Sequence, residues 1–149
     1  MDSSSRAIAA ARVAHDHIAR TSVAFELRRV EEGLPQGRYG VVSMIDVLHH
    51  IPQPAQRDAL MAAASRVADG GVLLFKDVGL HPRWRAWASR LHDLAVARQW
   101  IHIVAPALVE AWMLAAGFEL IHRQTINILW YGHELLVFRK VSVGAKVAL

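Results

Sequence analysis

Three side chains that can exchange protons stand close together in the middle of the chain: Asp46, His49 and His50. Their spacing of three and four residues places a carboxylate and two imidazoles on one side of a short turn. Because an imidazole titrates near neutral pH, the group predicts proton transfer at a reacting hydroxyl. A metal site would need another firm ligand, and the pattern offers none, so we expect no metal ion.

Three histidines are candidate proton acceptors: His50, His92 and His133. For His50 the alternative is a structural role in which the ring bonds to the backbone. Trp130 and Tyr131 are candidates for binding a small molecule, because a turn seldom needs two large aromatic rings for packing alone. These rings could hold a flat or lipid-like molecule at the rim of a site.

The bulk composition limits the classes of protein to consider. The chain has 149 residues, of which 54% are apolar and 20% charged, and this is ordinary for one globular domain. The absence of cysteine excludes disulfides, thiolate nucleophiles and cysteine-bound metals. Glu110 interrupts the longest apolar stretch, Val104 to Leu120, so we expect no membrane span and a cytoplasmic protein.

The net charge of +4 comes mostly from arginine. A solvated helix face explains the local surplus between residues 83 and 98, and an anionic partner such as nucleic acid is the alternative. Only this basic balance favours nucleic acid, so we expect a small-molecule partner.

The hydrophobic pattern predicts alternating helices and strands. We expect helices over 6–20, 55–68, 82–99 and 106–116, and strands over 23–27, 39–45, 72–75, 118–129 and 133–140. This order predicts an α/β fold with a doubly wound, mostly parallel sheet and a C-terminal antiparallel hairpin. The domain covers 1–140, and 141–149 form a tail.

Ligands of such sheets lie beyond the carboxyl ends of the parallel strands. Here those ends carry Asp46 and Asp77. The expected site is therefore at this edge, close to the His49-His50 turn.

The run YGVVSMIDVLHHIPQPAQRDALMAAASRVADGGVLLFKDV, residues 39–78, resembles the middle of class I S-adenosylmethionine-dependent methyltransferases. The Leu48-His49-His50 turn and the segment RVADGG at 66–71 carry the resemblance by type and spacing. It extends over about residues 1–140, and it implies a Rossmann-like fold and S-adenosyl-L-methionine as cofactor.

The resemblance also implies which residues bind the cofactor. Asp2 corresponds to the acidic residue that accepts hydrogen bonds from both ribose hydroxyls, whereas a helix cap is its alternative role. His50 would pack beside the methionine part or orient the acceptor. The complete implied set is Asp2, Ser3, Val30, Ile45, Asp46 and His50.

The glycine-rich turn of this family should stand about 20 residues before Asp2, and the sequence holds no such turn. We therefore expect a chain that lacks the first strand of the fold, with a strand and a Gly-x-Gly-like turn encoded upstream of Met1. Alone, such a chain should bind the cofactor poorly and form homo-oligomers through an exposed sheet edge.

The resulting hypothesis is methyl transfer to a small-molecule acceptor, an aromatic or acyl-chain metabolite, covered by residues 80–105 and 130–133. It holds when the missing N-terminal part is present. A non-catalytic fragment or degenerate paralogue that binds a partner is the alternative. Nucleic-acid methylation is not favoured, because no Asn-Pro-Pro-Tyr-like tetrapeptide follows the strand at 39–45.

Overall fold

The structure of the chain is a computed structural model. It describes residues 4–18, 23–29, 32–79, 101–128 and 131–142. The backbone divides into two compact units, Met1–Pro35 and Gln36–Leu149. Among the described residues, the first unit contains the helix Ser5–Ile18 and the second contains the sheet.

Helix α1 of the first unit spans Ser5–Ile18, as the sequence predicts. The backbone N–H of Ala7 donates to Ser4 Oγ at 3.2 Å, which satisfies one of the donors left open at a helix start.

The strand predicted over 23–27 is wrong. In this segment only Leu27 makes an isolated bridge, and its side chain is 56% exposed. The carbonyl of Phe25 accepts instead from the Arg12 guanidinium at 3.3 Å. A strand needs a covered apolar face and a ladder partner, and this segment has neither among its described residues.

The second unit contains four strands: β1 Tyr39–Ile45, β2 Val67–Val78, β3 Phe118–Ile128 and β4 Tyr131–Lys140. They form one sheet in the order β1-β2-β4-β3. β1 and β2 are parallel, whereas β4 is antiparallel to both β2 and β3. The α/β Rossmann-like architecture and the C-terminal hairpin are therefore confirmed.

One face of this sheet is the hydrophobic core. Helix α2, Gln53–Ser65, packs on β1 and β2, and helix α3, Pro106–Ala115, packs on β3 and β4. Side chains alternate along each strand, so one set points to the helices. The fully buried members of this core are Leu60, Leu73, Phe75, Val109, Met113, Leu136 and Phe138.

β1 also exposes apolar side chains. Val41 is 66% exposed and Ile45 is 48% exposed. They alternate with the buried Met44, and therefore lie on the face opposite α2. In the described sheet β1 pairs with β2 only. This edge and this face thus present apolar surface, consistent with the predicted tendency to associate.

The end of α2 corrects the sequence-based boundary at Ala68. α2 ends at Ser65 and β2 begins at Val67, so Gly70 and Gly71 lie inside the strand segment. Gly70 has a φ of 74°. A Cβ on Gly71 would lie 2.9 Å from the carbonyl oxygens of Ala68 and Gly40, so only glycine fits this close approach.

Three further sequence predictions concern the second half of the chain. The helix over 82–99 lies outside the described residues, as does Trp130. Tyr131 and Gly132 belong to β4 rather than to the hairpin turn, because Gly132 pairs with Asn127. No described helix combines the length and the hydropathy needed to cross a membrane.

Candidate active site

The carboxyl ends of β1 and β2 lie side by side because the two strands are parallel, with Ile45 opposite Lys76. β1 leads through Asp46 into a 3₁₀ turn, Leu48–His50, which we call the His-turn. β4 brings His133 to the same edge, opposite Val78. This arrangement is the one predicted for the ligand-binding edge of an open α/β sheet.

Asp46 directly follows β1, and its φ of 53° lies in the left-handed region that non-glycine residues rarely adopt. Its backbone N–H donates to the Lys76 carbonyl at 2.9 Å. Its Oδ2 accepts from Lys76 Nζ at 2.6 Å. The Oδ1 atom is shielded from solvent and has no hydrogen-bond partner among the described residues. Such unusual backbone conformations cluster at functional sites.

Asp77 is the charged residue that the fold buries most completely at this edge, with 2% of its surface exposed. Its Oδ2 accepts from the His49 backbone N–H at 3.1 Å. Its Oδ1 contacts His49 Nδ1 and accepts from the Val78 backbone N–H at 2.7 Å. Three donors thus converge on one carboxylate, and this compensates for its removal from water.

The contact between His49 and Asp77 has two consequences. The proton of the His49 ring lies on Nδ1, because the carboxylate is an acceptor. The His-turn is also tied to the end of β2. His50, half-buried, follows on this turn, with its ring centroid 4.0 Å from that of His49.

The side chain of Gln56, on α2, bonds to the His-turn and to the segment before α3. Its amide is buried and donates to the carbonyl oxygens of Leu48, at 3.1 Å, and His102. The backbone N–H of His102 in turn donates to the carbonyl of His49 at 2.8 Å. The side chains at the edge are therefore placed by a turn with bonds to α2 and to the segment before α3.

His133 contributes a partly buried imidazole, and its Nε2 lies 3.7 Å from Asp46 Oδ1. Burial lowers the pKa of His133 below its ordinary value of 6.5, and the positive charge of Lys76 adds to this effect. The negative charges of Asp46 and Asp77 raise the pKa of His133, but by less than burial and Lys76 lower it. His133 is therefore a neutral imidazole at neutral pH, and a neutral imidazole can accept a proton.

The structure brings together four of the residues predicted from sequence: Ile45, Asp46, His50 and His133. Asp2, Ser3, Val30 and His92 lie outside the described residues.

The sequence pattern predicted His49 and Asp77 at this edge but gave them no individual role, and it did not indicate Lys76. The register of β1 on β2 was the signal that could have found Lys76, because it places Lys76 opposite Ile45. Across the described ranges, no three His, Asp or Glu side chains are grouped so that they could hold a metal ion.

Comparisons with known proteins agree with this fold. Residues 1–123 match the profile of a family described as a methyltransferase domain. The chain belongs to this family. No curated protein sequence is significantly similar to it.

Three solved structures illustrate the shared fold. An O-methyltransferase family protein from Burkholderia thailandensis has 23% identity and a TM-score of 0.68, over 95% of this chain and 43% of its own. Magnesium protoporphyrin IX methyltransferase from Synechocystis PCC 6803, with bound SAM, has 16% identity and a TM-score of 0.68, over 93% and 56%. A SAM-dependent methyltransferase from Methanosarcina mazei has 15% identity and a TM-score of 0.72, over 95% and 80%.

These structural similarities establish the class I methyltransferase fold. The chain spans about half the length of the first two proteins.

Proposed function

We propose that this chain carries the substrate-facing edge of an S-adenosyl-L-methionine-dependent methyltransferase that acts on a small-molecule acceptor, an aromatic or acyl-chain metabolite. The observation that carries the proposal is the position of Asp46 and His133 at the carboxyl edge of the parallel strands, 3.7 Å apart, with His50 on the turn that follows β1. In this fold that edge is where ligands bind. Membership in the methyltransferase domain family supports the same reading.

The described residues fit one side of the cofactor. Asp46 Oδ1 is a shielded carboxylate oxygen that accepts no hydrogen bond from the described residues, and it suits the ammonium group of the methionine part. Ile45 supplies exposed apolar surface next to it, and His50 follows on the His-turn. The resemblance also implies Asp2, Ser3 and Val30 as residues that bind the ribose and adenine parts, and these three lie outside the described residues.

The cofactor supplies an activated methyl group with a neutral leaving group. The protein then has two tasks, to align the acceptor with the methyl carbon and to remove a proton from a hydroxyl acceptor. His133 suits the second task because its imidazole is neutral at neutral pH. His50 is the second candidate base, and His92 is a third.

The His49–Asp77 pair has a supporting role in this proposal. Both side chains are buried, so the pair holds the His-turn against β2 and keeps His50 at the edge. A small acceptor is favoured because no Asn-Pro-Pro-Tyr-like tetrapeptide follows β1. A cytoplasmic location is part of the same proposal.

Incubation of the full chain with methyl-labelled S-adenosylmethionine and a small-molecule extract tests the function, with total RNA and DNA as competing acceptors. Because the chain alone is expected to bind the cofactor poorly, the cofactor is kept at millimolar concentration. We then expect a low yield of label in the low-mass fraction, and its loss in the His133→Gln variant. Label in RNA or DNA would show that the acceptor is a nucleic acid and not a small molecule. No transfer to any acceptor would favour the non-catalytic binding module.

A further inference from the structure

A cluster of basic side chains lies at the end of the sheet opposite to the proposed active site, where β1 and β2 begin. Arg38 Nη1 donates to the carbonyl oxygen of Val67 at 3.4 Å, and Lys140 Nζ donates to the same oxygen at 3.1 Å. The two cationic nitrogens therefore lie at most 6.5 Å apart, the sum of these two lengths. Two positive charges thus converge on a single carbonyl oxygen.

Arg66, the residue before β2, brings a third positive charge to this end. Its Nη1 donates to Gln36 Oε1 at 3.2 Å, and its carbonyl accepts from the Tyr39 backbone N–H at 2.8 Å. The segment that leads into β1 is thus bonded to the segment that leads into β2. The Arg66 Nε–H is shielded from solvent and has no acceptor among the described residues. A shielded donor without an acceptor is unfavourable, so the fold does not fully satisfy this guanidinium group.

One carboxylate accompanies these three cations within the described chain. Asp69 Oδ1 lies 3.1 Å from Lys140 Nζ, and the Asp69 side chain is 62% exposed. The described contacts of Arg38 and Arg66 are to neutral oxygens, one for each guanidinium group. A guanidinium group has five N–H donors, so hydrogen-bonding capacity remains at both arginines. The cluster therefore combines an excess of positive charge with unused donors.

The backbone at the start of β2 does not require this concentration of charge. Either cation alone would give the Val67 carbonyl a strong hydrogen bond. Two positive charges at this separation repel each other, and the repulsion is unfavourable unless a negative charge lies beside them. Asp69 meets this need for Lys140, whereas Arg38 is exposed at the end of the sheet and has no carboxylate partner in the described ranges. The arrangement therefore favours the binding of an anion.

We propose that Arg38, Arg66 and Lys140 form a binding site for a phosphate group. A phosphate group presents several charged oxygen atoms, so it can accept from a guanidinium and an ammonium group at the same time. A compact anion suits the cluster because Arg38 and Lys140 are held close together by the carbonyl that they share. The site lies at the opposite end of the strands from the candidate active site, so the proposal does not depend on methyl transfer.

β4 offers a matched control for a change of charge at this end. Arg139 precedes Lys140, and its Nη1 lies 3.4 Å from Glu119 Oε1. Because side chains alternate along a strand, Arg139 points to the other face of the sheet from Lys140. Arg139→Gln therefore removes a positive charge from the same end without removing a donor to the Val67 carbonyl. Arg38→Gln and Lys140→Gln each remove one of those two donors.

An NMR titration of the full chain with inorganic phosphate, with chloride added to keep the ionic strength constant, tests the proposal. We expect shift changes at the amide signals of Arg38, Val67 and Lys140, and none at Ile45. Arg38→Gln and Lys140→Gln should each weaken the affinity about tenfold, because each removes a charge-assisted hydrogen bond. Arg139→Gln should change it by less than about twofold, because salt screens the charge of an exposed residue. Equal losses in the three variants, or no saturable shift change up to about 10 mM phosphate, would overturn the proposal.

A second titration with a thymidine tetranucleotide distinguishes the sources of the phosphate group. Tighter binding of inorganic phosphate would assign the site to free phosphate or a phosphate monoester. Tighter binding of the tetranucleotide, with shift changes at the same amides, would assign it to the phosphodiester of a nucleic acid. Binding of the tetranucleotide alone, with shift changes spread over the whole surface, would refute a phosphate site at this cluster.

Discussion

The Oδ2 atom of Asp77 accepts a hydrogen bond from the backbone N–H of His49 at 3.1 Å. Asp77 lies at the end of β2, whereas His49 lies in the His-turn that follows β1. The same carboxylate contacts His49 Nδ1 and accepts from the N–H of Val78. This pair therefore joins the His-turn to the neighbouring strand in the interior of the domain. It explains why a buried charge is tolerated at this position.

Asp77→Asn should destabilise the domain by about 2–3 kcal/mol. An amide has one acceptor oxygen, so at least one of the three donors around Asp77 would face the NH₂ group. Urea unfolding of the full chain measures the loss. The control is Asp69→Asn, which removes an exposed carboxylate at the other end of the sheet and should cost less than about 1 kcal/mol. Similar losses in both variants would mean that the buried contacts of Asp77 contribute little.

The stability of the chain should fall as pH drops below the ordinary histidine value of 6.5, and His133 should account for part of the fall. Its pKa is lower in the folded chain, so the unfolded chain binds more protons in this range. The contribution of His133 is complete above pH 6.5 and is lost as pH falls through the folded pKa. His133→Gln should flatten the curve of unfolding free energy between neutral and mildly acidic pH. Parallel curves for the two proteins would contradict the burial of this imidazole.

Self-association should depend on the apolar surface of β1. Val41 is 66% exposed, and β1 pairs with β2 only in the described sheet. Val41→Lys should shift the chain towards the monomer in sedimentation velocity, because a charge on an edge strand opposes pairing. Leu114→Lys, a change at an exposed apolar position on α3, is the control and should leave the distribution unchanged. A wild-type chain that is monomeric at high concentration would remove the basis for this prediction.

Local patterns predicted the edge of the sheet that carries the site. The β-branched run Tyr39–Ile45 indicated a strand buried on both faces; the strand forms, but Met44 is its one buried residue. The order of elements indicated a parallel neighbour, so Asp46 and Asp77 were expected at one edge. The family resemblance is confirmed by the profile match over residues 1–123. The assignments of Asp46, His50 and His133 to cofactor or proton transfer stay predictions.

The contacts inside the site could not be read from sequence. Which partner each carboxylate takes depends on strand register, and the bonds of Asp77 to His49 and of Lys76 to Asp46 join residues about 30 apart. The predicted helix end at 68, just before Gly70-Gly71, was wrong for a related reason. Glycines commonly end helices, but here Gly71 lets the backbone pass close to Gly40, a neighbour that no local pattern indicates.

The most direct test of the central claim is an NMR titration of the full chain with S-adenosylhomocysteine, which detects weak binding and locates it. The account predicts shift changes at Ile45, Asp46 and His50, with none at Arg38 and Lys140 at the opposite end of the sheet. Methylthioadenosine, which lacks the amino-acid part, should leave Asp46 unchanged. No change at millimolar ligand, or changes confined to the opposite end, would contradict the claim that this edge holds the cofactor.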